Sequence, residues 1–197
     1  MMIFLILTLS VSFAADNDTG SDVTITKNQD SGYGGAANNV KTNDETFTQL
    51  SSQINKSGNS LALNKNYKYS SKDDSAGIVI KKNNFVLDGK GHTLDANGKS
   101  RIFDIYGTNV VLQNMVLANA YNYDGSAIIV NPKSSVKTIN VTFQHCVSRS
   151  SGAVFVYSAT YTSSSDKFIN CNSVENGIIS SYQSKVNVNN GFMKSRI

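Results

Sequence analysis

Five residues between positions 88 and 101 concentrate the reactive chemistry of this chain: Asp88, His92, Asp95, Lys99 and Arg101, within LDGKGHTLDANGKSR. Two carboxylates, an imidazole and two cations are groups that polysaccharide-cleaving sites use. Glycoside hydrolysis needs a carboxyl pair about 5–9.5 Å apart across a groove. A lyase needs acidic Ca²⁺ ligands beside a base that abstracts a proton. Gly89, Gly91 and Gly98 interrupt the stretch, so tight turns surround the candidates, and there Asp and His bond to nearby backbone. The turn-forming role is the preferred reading. No catalytic residue, metal ligand or cofactor-binding residue is assigned, and no cofactor is expected.

The elements that must position these groups follow from composition and spacing. The chain has 197 residues, enough for one domain with a real core. It holds 27 Ser and 24 Asn against one Pro, no Trp and 16% charged residues. Apolar residues at 40% exclude wholesale disorder, and the richness in Ser, Thr, Asn, Val and Ile argues against a helical bundle. Lys and Arg exceed Asp and Glu by 18 − 14 = +4. The basic residues are scattered, with neither the dense stripe nor the motif of a nucleic-acid binder.

Ile3 to Phe13 is an apolar run of eleven, followed by Ala14-Ala15 and polar Asp16-Asn17-Asp18. That is the pattern of a signal peptide over 1–15, too short to span a bilayer. A secreted or cell-surface location is expected, with no transmembrane segment elsewhere in the chain. Residues 16–42 read as a flexible leader, with at most a brief strand at Val23-Thr24-Ile25. Within 43–58, Phe47, Leu50 and Ile54 fall at i, i+3 and i+7 on one helix face. Asn43 or Asp44 can cap its start, with acidic residues in the first turn, and Gly58 can end it.

Beyond residue 59 the period is two, with turn residues between short runs. A longer period lies over it. Leu94, Leu117, Phe143, Phe168 and Phe192 are separated by 23, 26, 25 and 24 residues. Ile80, Ile105, Val130 and Val156 are separated by 25, 25 and 26. Two apolar series drifting together at about 25 residues describe a solenoid of β coils. Each strand bonds its counterpart in the next coil, about 4.8 Å away. Ala120, Cys146 and Cys171 follow their series members by three residues, and Ser195 follows Phe192 likewise, giving a column of small residues. Asn tolerates the left-handed turns such coils need. The fold class is therefore all-β: about five coils over 59–197, capped by the helix.

This register decides several candidates. Asp88 aligns with Gln113, Asp95 with Ala118 and Asp104 with Val79; with Asp124, Asp166 and Glu175 these are the few acids of the coils, and no acidic column forms. His145 has no second ligand in register, which argues against a metal. Cys146 and Cys171 stack one coil apart, inside the disulfide window. Free buried thiols are preferred, with a bond as the alternative. DSGYGGAANN lacks the strand-to-helix frame of a phosphate loop. Asn17, Asn55 and Asn140 fit glycosylation acceptor triplets. Tyr67, Tyr69, Tyr121, Tyr123, Tyr157 and Tyr161 read as turn or outer-face aromatics; half-buried packing is preferred, and sugar stacking is the alternative.

FTQLSSQI, LALNKNYKY and LDGKGHTLDANGKSRIF, followed by VVLQNMVLANA, INVTFQHC and KFINC, occur here in that order. This arrangement resembles the adhesin-like surface proteins of methanogenic archaea. Those look like right-handed parallel β-helices of the pectate-lyase-like superfamily, and the resemblance covers about residues 46–195. His145 departs from it, where the coil ending usually has Asn. The resemblance implies an adhesin-like role without catalysis, binding surface polysaccharide or a neighbouring cell. A polysaccharide lyase or glycoside hydrolase is the alternative. Ile178-Ile179 and Val186-Asn187-Val188 begin a further coil that Phe192 starts to close, with no cap after Met193-Lys194-Ser195-Arg196-Ile197. The expectation is a C-terminally incomplete stack, continued by further modules of a longer chain and prone to associate end to end alone.

Overall fold

Alternation along short strands, repeated at fixed offset, folds this chain into a parallel β-helix of about six turns, the last of them partial. The computed structural model describes residues 44–194. The expected signal peptide and leader, Asn17, Asn43 and Ser195 lie outside the described residues. Each full coil contributes to a first sheet, turns a corner, and contributes to a second sheet; a smaller third sheet forms between them in later coils. All strand pairs joining successive coils are parallel.

The second sheet stacks Ile78–Ile80, Phe103–Ile105, Ile128–Val130, Val154–Tyr157 and Ile179–Tyr182. Ile80, Ile105, Val130 and Val156 share one column and are fully buried. In the first sheet two short segments per coil fuse into the long strands Val110–Ala118 and Ser135–Gln144. There Tyr67, Leu94, Leu117, Phe143 and Phe168 form a continuous buried column. Phe143 and Phe168 stack with centroids 4.4 Å apart and planes 4° apart. The expected last member, Phe192, is wrong. Met193 pairs with Phe168 and Phe192 with Lys167, because the offset of 25 persists through the final coil. A similar local context placed the aromatic one position early.

Corners explain the asparagines. Among the described residues fourteen non-glycine positions have positive φ, and eight are Asn, the side chain that best tolerates this region. Asn114, Asn140, Ser165 and Asn190 occupy one bend of the first sheet in successive coils, at φ 51–57°. Asn140 donates its side-chain N–H to Asn114 Oδ1 at 3.1 Å. His145 stands between Asn119 and Asn170 at the next corner, also left-handed at φ 51°. Its ring Nε2 lies 3.2 Å from Asn170 Nδ2, so it substitutes for a turn asparagine.

The helix runs Phe47–Lys56 and buries Phe47, Leu50 and Ile54 in the common core. It packs on Ile78–Ile80, at the first coil. Its cap differs from the expected one. Thr46 is the N-cap and forms a reciprocal capping box with Gln49; no acid lies in the first turn. The negative partner of the helix start comes instead from Asp73. That carboxylate accepts from the Thr48 N–H at 2.8 Å, the Thr48 hydroxyl at 2.6 Å and the Ser70 N–H at 2.7 Å. The C-cap is Ser57 rather than Gly58.

Candidate functional site

The constellation of residues 88–101 resolves into separate turns. Asp88 accepts from the Lys90 N–H at 3.0 Å and from the side chains of Gln113 at 3.1 Å and Asn114 at 3.2 Å, and pairs with Lys90 Nζ at 3.1 Å. Burial alone would raise its pKa; these donors outweigh burial and bring it down to about 2. Asp95 accepts from the Asn97 N–H at 2.8 Å and Asn119 Nδ2 at 3.0 Å. His92 Nδ1 lies 3.3 Å from Asn66 Oδ1. The Arg101 guanidinium donates to the carbonyls of Asp124 at 2.8 Å and Gly125 at 3.0 Å, clamping the next coil. Lys99 is exposed. Asp88 and Asp95 share no partner, and each closes its own turn.

The remaining candidates are equally local. Asp104 lies on the second sheet, where Asn131 Nδ2 donates to it at 2.5 Å. Cys146 and Cys171 are free and buried, each thiol donating to a backbone carbonyl of the preceding coil at 3.4 Å. Burial pushes the Cys146 thiol up. Among the described residues no three His, Cys, Asp or Glu side chains are grouped as metal ligands. Asn55 and Asn140 are exposed. Asp166, unremarkable in sequence, is fully buried. It accepts from the hydroxyls of Thr138 at 2.5 Å and Ser163 at 2.6 Å and from the Val141 N–H at 2.8 Å.

The tyrosines divide sharply. Tyr67 and Tyr161 are fully buried, so their placement on the outer face is wrong. Tyr161 shares an inward column with Val110 and Val136, where parity forces it inside. Tyr69 packs edge-on against Phe47. Tyr121 and Tyr123 are exposed on the third sheet, and Tyr157 on the second. Tyr157 belongs to a larger feature that sequence reading missed. Lys81, Tyr106, Asn131, Tyr157 and Tyr182 follow the buried second-sheet column by one residue in successive coils, and therefore face outward.

Tyr106, Tyr157 and Tyr182 are 50%, 42% and 40% exposed. The Tyr157 and Tyr182 rings lie 5.7 Å apart. The next outward column runs Val79, Asp104, Ile129, Phe155 and Ser180. Phe155 lies nearly parallel to Tyr157, with planes 7° apart and centroids 6.4 Å apart. Asn176, Ser151 and Ser180 border a shallow recess beside these rings. The second sheet thus presents apolar rings with amide and hydroxyl groups among them, while the Asp104 carboxylate is buried beneath Asn131. Adding 25 to Tyr157 would have found Tyr182; Tyr106 needed the irregular offset of the intervening coil.

Fold and site together define a class: a parallel β-solenoid whose second sheet bears an exposed aromatic face. Comparisons of the chain with protein-family models, with curated proteins and with solved structures return no match. No helix among the described residues is long and apolar enough to cross a membrane.

Proposed function

We propose that this chain is an exported, adhesin-like cell-surface protein that binds carbohydrate on the outer face of the second sheet, without catalysis. The observation that carries this reading is the outward column of Tyr106, Tyr157 and Tyr182 beside Phe155. The C–H faces of sugar rings stack on exposed aromatic rings, as other apolar groups do. The neighbouring Asn131 and Ser180 offer hydroxyl-binding groups, and a solenoid provides a long, rigid surface. Export rests on the apolar run at 3–13 with its small-residue end, and the adhesin-like role on the resemblance of residues 46–195 to methanogen surface proteins. The parallel β-helix fits a polysaccharide lyase or hydrolase equally well. The separate turn roles of Asp88, Asp95, His92 and Arg101 support the non-catalytic reading.

The test is a glycan-array screen of residues 16–197, followed by calorimetry on the glycans retained. Tyr157→Ala/Tyr182→Ala should weaken binding at least tenfold, equivalent to about 1.4 kcal/mol, with unchanged circular dichroism. Retained glycans whose affinity ignores this double substitution would overturn the site. Turnover of a retained polysaccharide to unsaturated or reducing products would replace adhesion by the enzyme reading.

A further inference from the structure

The aromatic column runs directly into a corner of different chemistry. Ser158 follows Tyr157, and Gln183, Ser184 and Lys185 follow Tyr182. In the coil before, Lys133 lies two residues past Asn131 of the same column. A shallow recess at this corner is lined by Lys133, Ser134, Ser158, Thr160, Ser184 and Lys185, among others. Ser135, Thr160 and Lys185 are stacked in register, and the Lys133 N–H bonds the Ser158 carbonyl at 3.0 Å. Lys133 and Lys185 are exposed, and among the described residues no carboxylate pairs with either.

Ser134 is 3% exposed, and its hydroxyl has no hydrogen-bond partner among the described residues. An orphan buried hydroxyl is costly and uncommon. Its oxygen is closed to solvent, so it belongs to the floor of the recess; the two exposed cations and the outer hydroxyls of the rim are what make the recess a setting for an anionic oxygen rather than an apolar group. Lys81 adds a third exposed cation at the far end of the aromatic column.

We propose that this corner is an anion subsite, and that the ligand of the aromatic face is an acidic glycan. Its rings lie along Tyr106, Tyr157 and Tyr182, and its carboxylate or sulfate groups enter the recess between Lys133 and Lys185. This rests on the carbohydrate reading above and adds the ligand's charge. Neutral glycans of the same length engage the tyrosines alone. The lysines are positioned by coil register: one pair spans two coil steps, about 9.6 Å along the axis, so acidic groups on separate sugars are needed to engage both.

The experiment compares two pairs of probes by calorimetry at low and high salt, using residues 16–197. Hexagalacturonate against its methyl ester reads carboxylate; sulfated dextran oligomer against dextran reads sulfate. In at least one pair the acidic member should bind ten times more tightly or better. Lys133→Ala/Lys185→Ala should erase that preference and flatten the salt dependence, leaving neutral-glycan affinity within twofold. Lys133→Arg/Lys185→Arg should restore it. Equal binding of acidic and neutral members in both pairs, or a preference that survives the double alanine substitution, overturns the subsite while leaving the tyrosine face standing. Neutral binding that ignores Tyr157→Ala/Tyr182→Ala overturns the face itself, and absence of binding by every glycan overturns both.

Discussion

Asp88 and Asp166 lie close to the same bend of the first sheet, three coils apart, yet on opposite sides of its wall. Asp88 continues the column of Gln113, Ile139 and Ser164, which faces outward. Asp166 aligns with Met115 and Val141, which are buried. The outer carboxylate gathers amide and ammonium donors and is held near pH 2. For the inner one, burial raises the pKa and wins over the bonds from Ser163, Thr138 and Val141. The same residue type at neighbouring positions thus carries opposite electrostatics, and alternation along a strand decides which. The contrast extends to the core. Val110, Leu112 and Met115 fill one coil where Tyr161, Ser163 and Asp166 fill the one two steps on.

Asp166→Leu breaks the comparison most severely, because it leaves the Val141 N–H and the Ser163 hydroxyl unpaired inside and takes one partner from Thr138, which keeps the Tyr161 hydroxyl at 2.8 Å. A loss of about 3 kcal/mol is expected in urea denaturation. Asp166→Asn keeps an acceptor for Val141 and should fold nearly as well. It also sharpens the electrostatic point. An acid with a raised folded pKa binds more protons folded than unfolded, so stability falls as pH rises from the ordinary carboxylate value through the raised one. That decline should vanish in Asp166→Asn.

Asp73→Ala comes next, at about 2 kcal/mol, through the unpaired N–H groups of Thr48 and Ser70 and the lost helix partner. Hydrogen bonds from Thr48, Ser70 and Phe47 overcome burial and lower the Asp73 pKa. Its stabilisation is therefore present above the ordinary carboxylate value and fades in acid. Loss of helical signal ahead of the β signal on acidification would check it. Asp88→Asn is the mildest. Wild type should lose about 1 kcal/mol between pH about 4 and about 2, allowing for solvent screening, and the variant should lack that acid limb. An unchanged limb would mean the Lys90, Gln113 and Asn114 contacts do not persist in solution.

Much of this architecture is legible in sequence because a solenoid writes its register as a repeat. Ile80 and Val156, or Leu117 and Phe168, can be matched without coordinates. The helix face of Phe47, Leu50 and Ile54 is equally plain. Its N-cap was legible too, in the Thr46-x-x-Gln49 box; only Asp73, a partner from the following coil that supplies what local acids were expected to give, lies beyond local reading. Of the aromatic face, Tyr157 was visible, while Tyr106 and Tyr182 emerge only when residues are read across coils. Tyr161 shows the converse: a residue type common at surfaces, turned inward by alternation. Asp166 was hidden for the same reason, since its significance lies in its buried neighbours Thr138 and Ser163.

The parallel stacking of coils also sets how the molecule yields to pulling. Tension applied to one end loads the hydrogen bonds of a single coil interface at a time, since each coil bonds mainly to its neighbours. Coils then detach in sequence, and each of 25 residues frees roughly 85 Å of chain. A solenoid built this way absorbs work in discrete steps while the coils still stacked keep their tyrosines aligned.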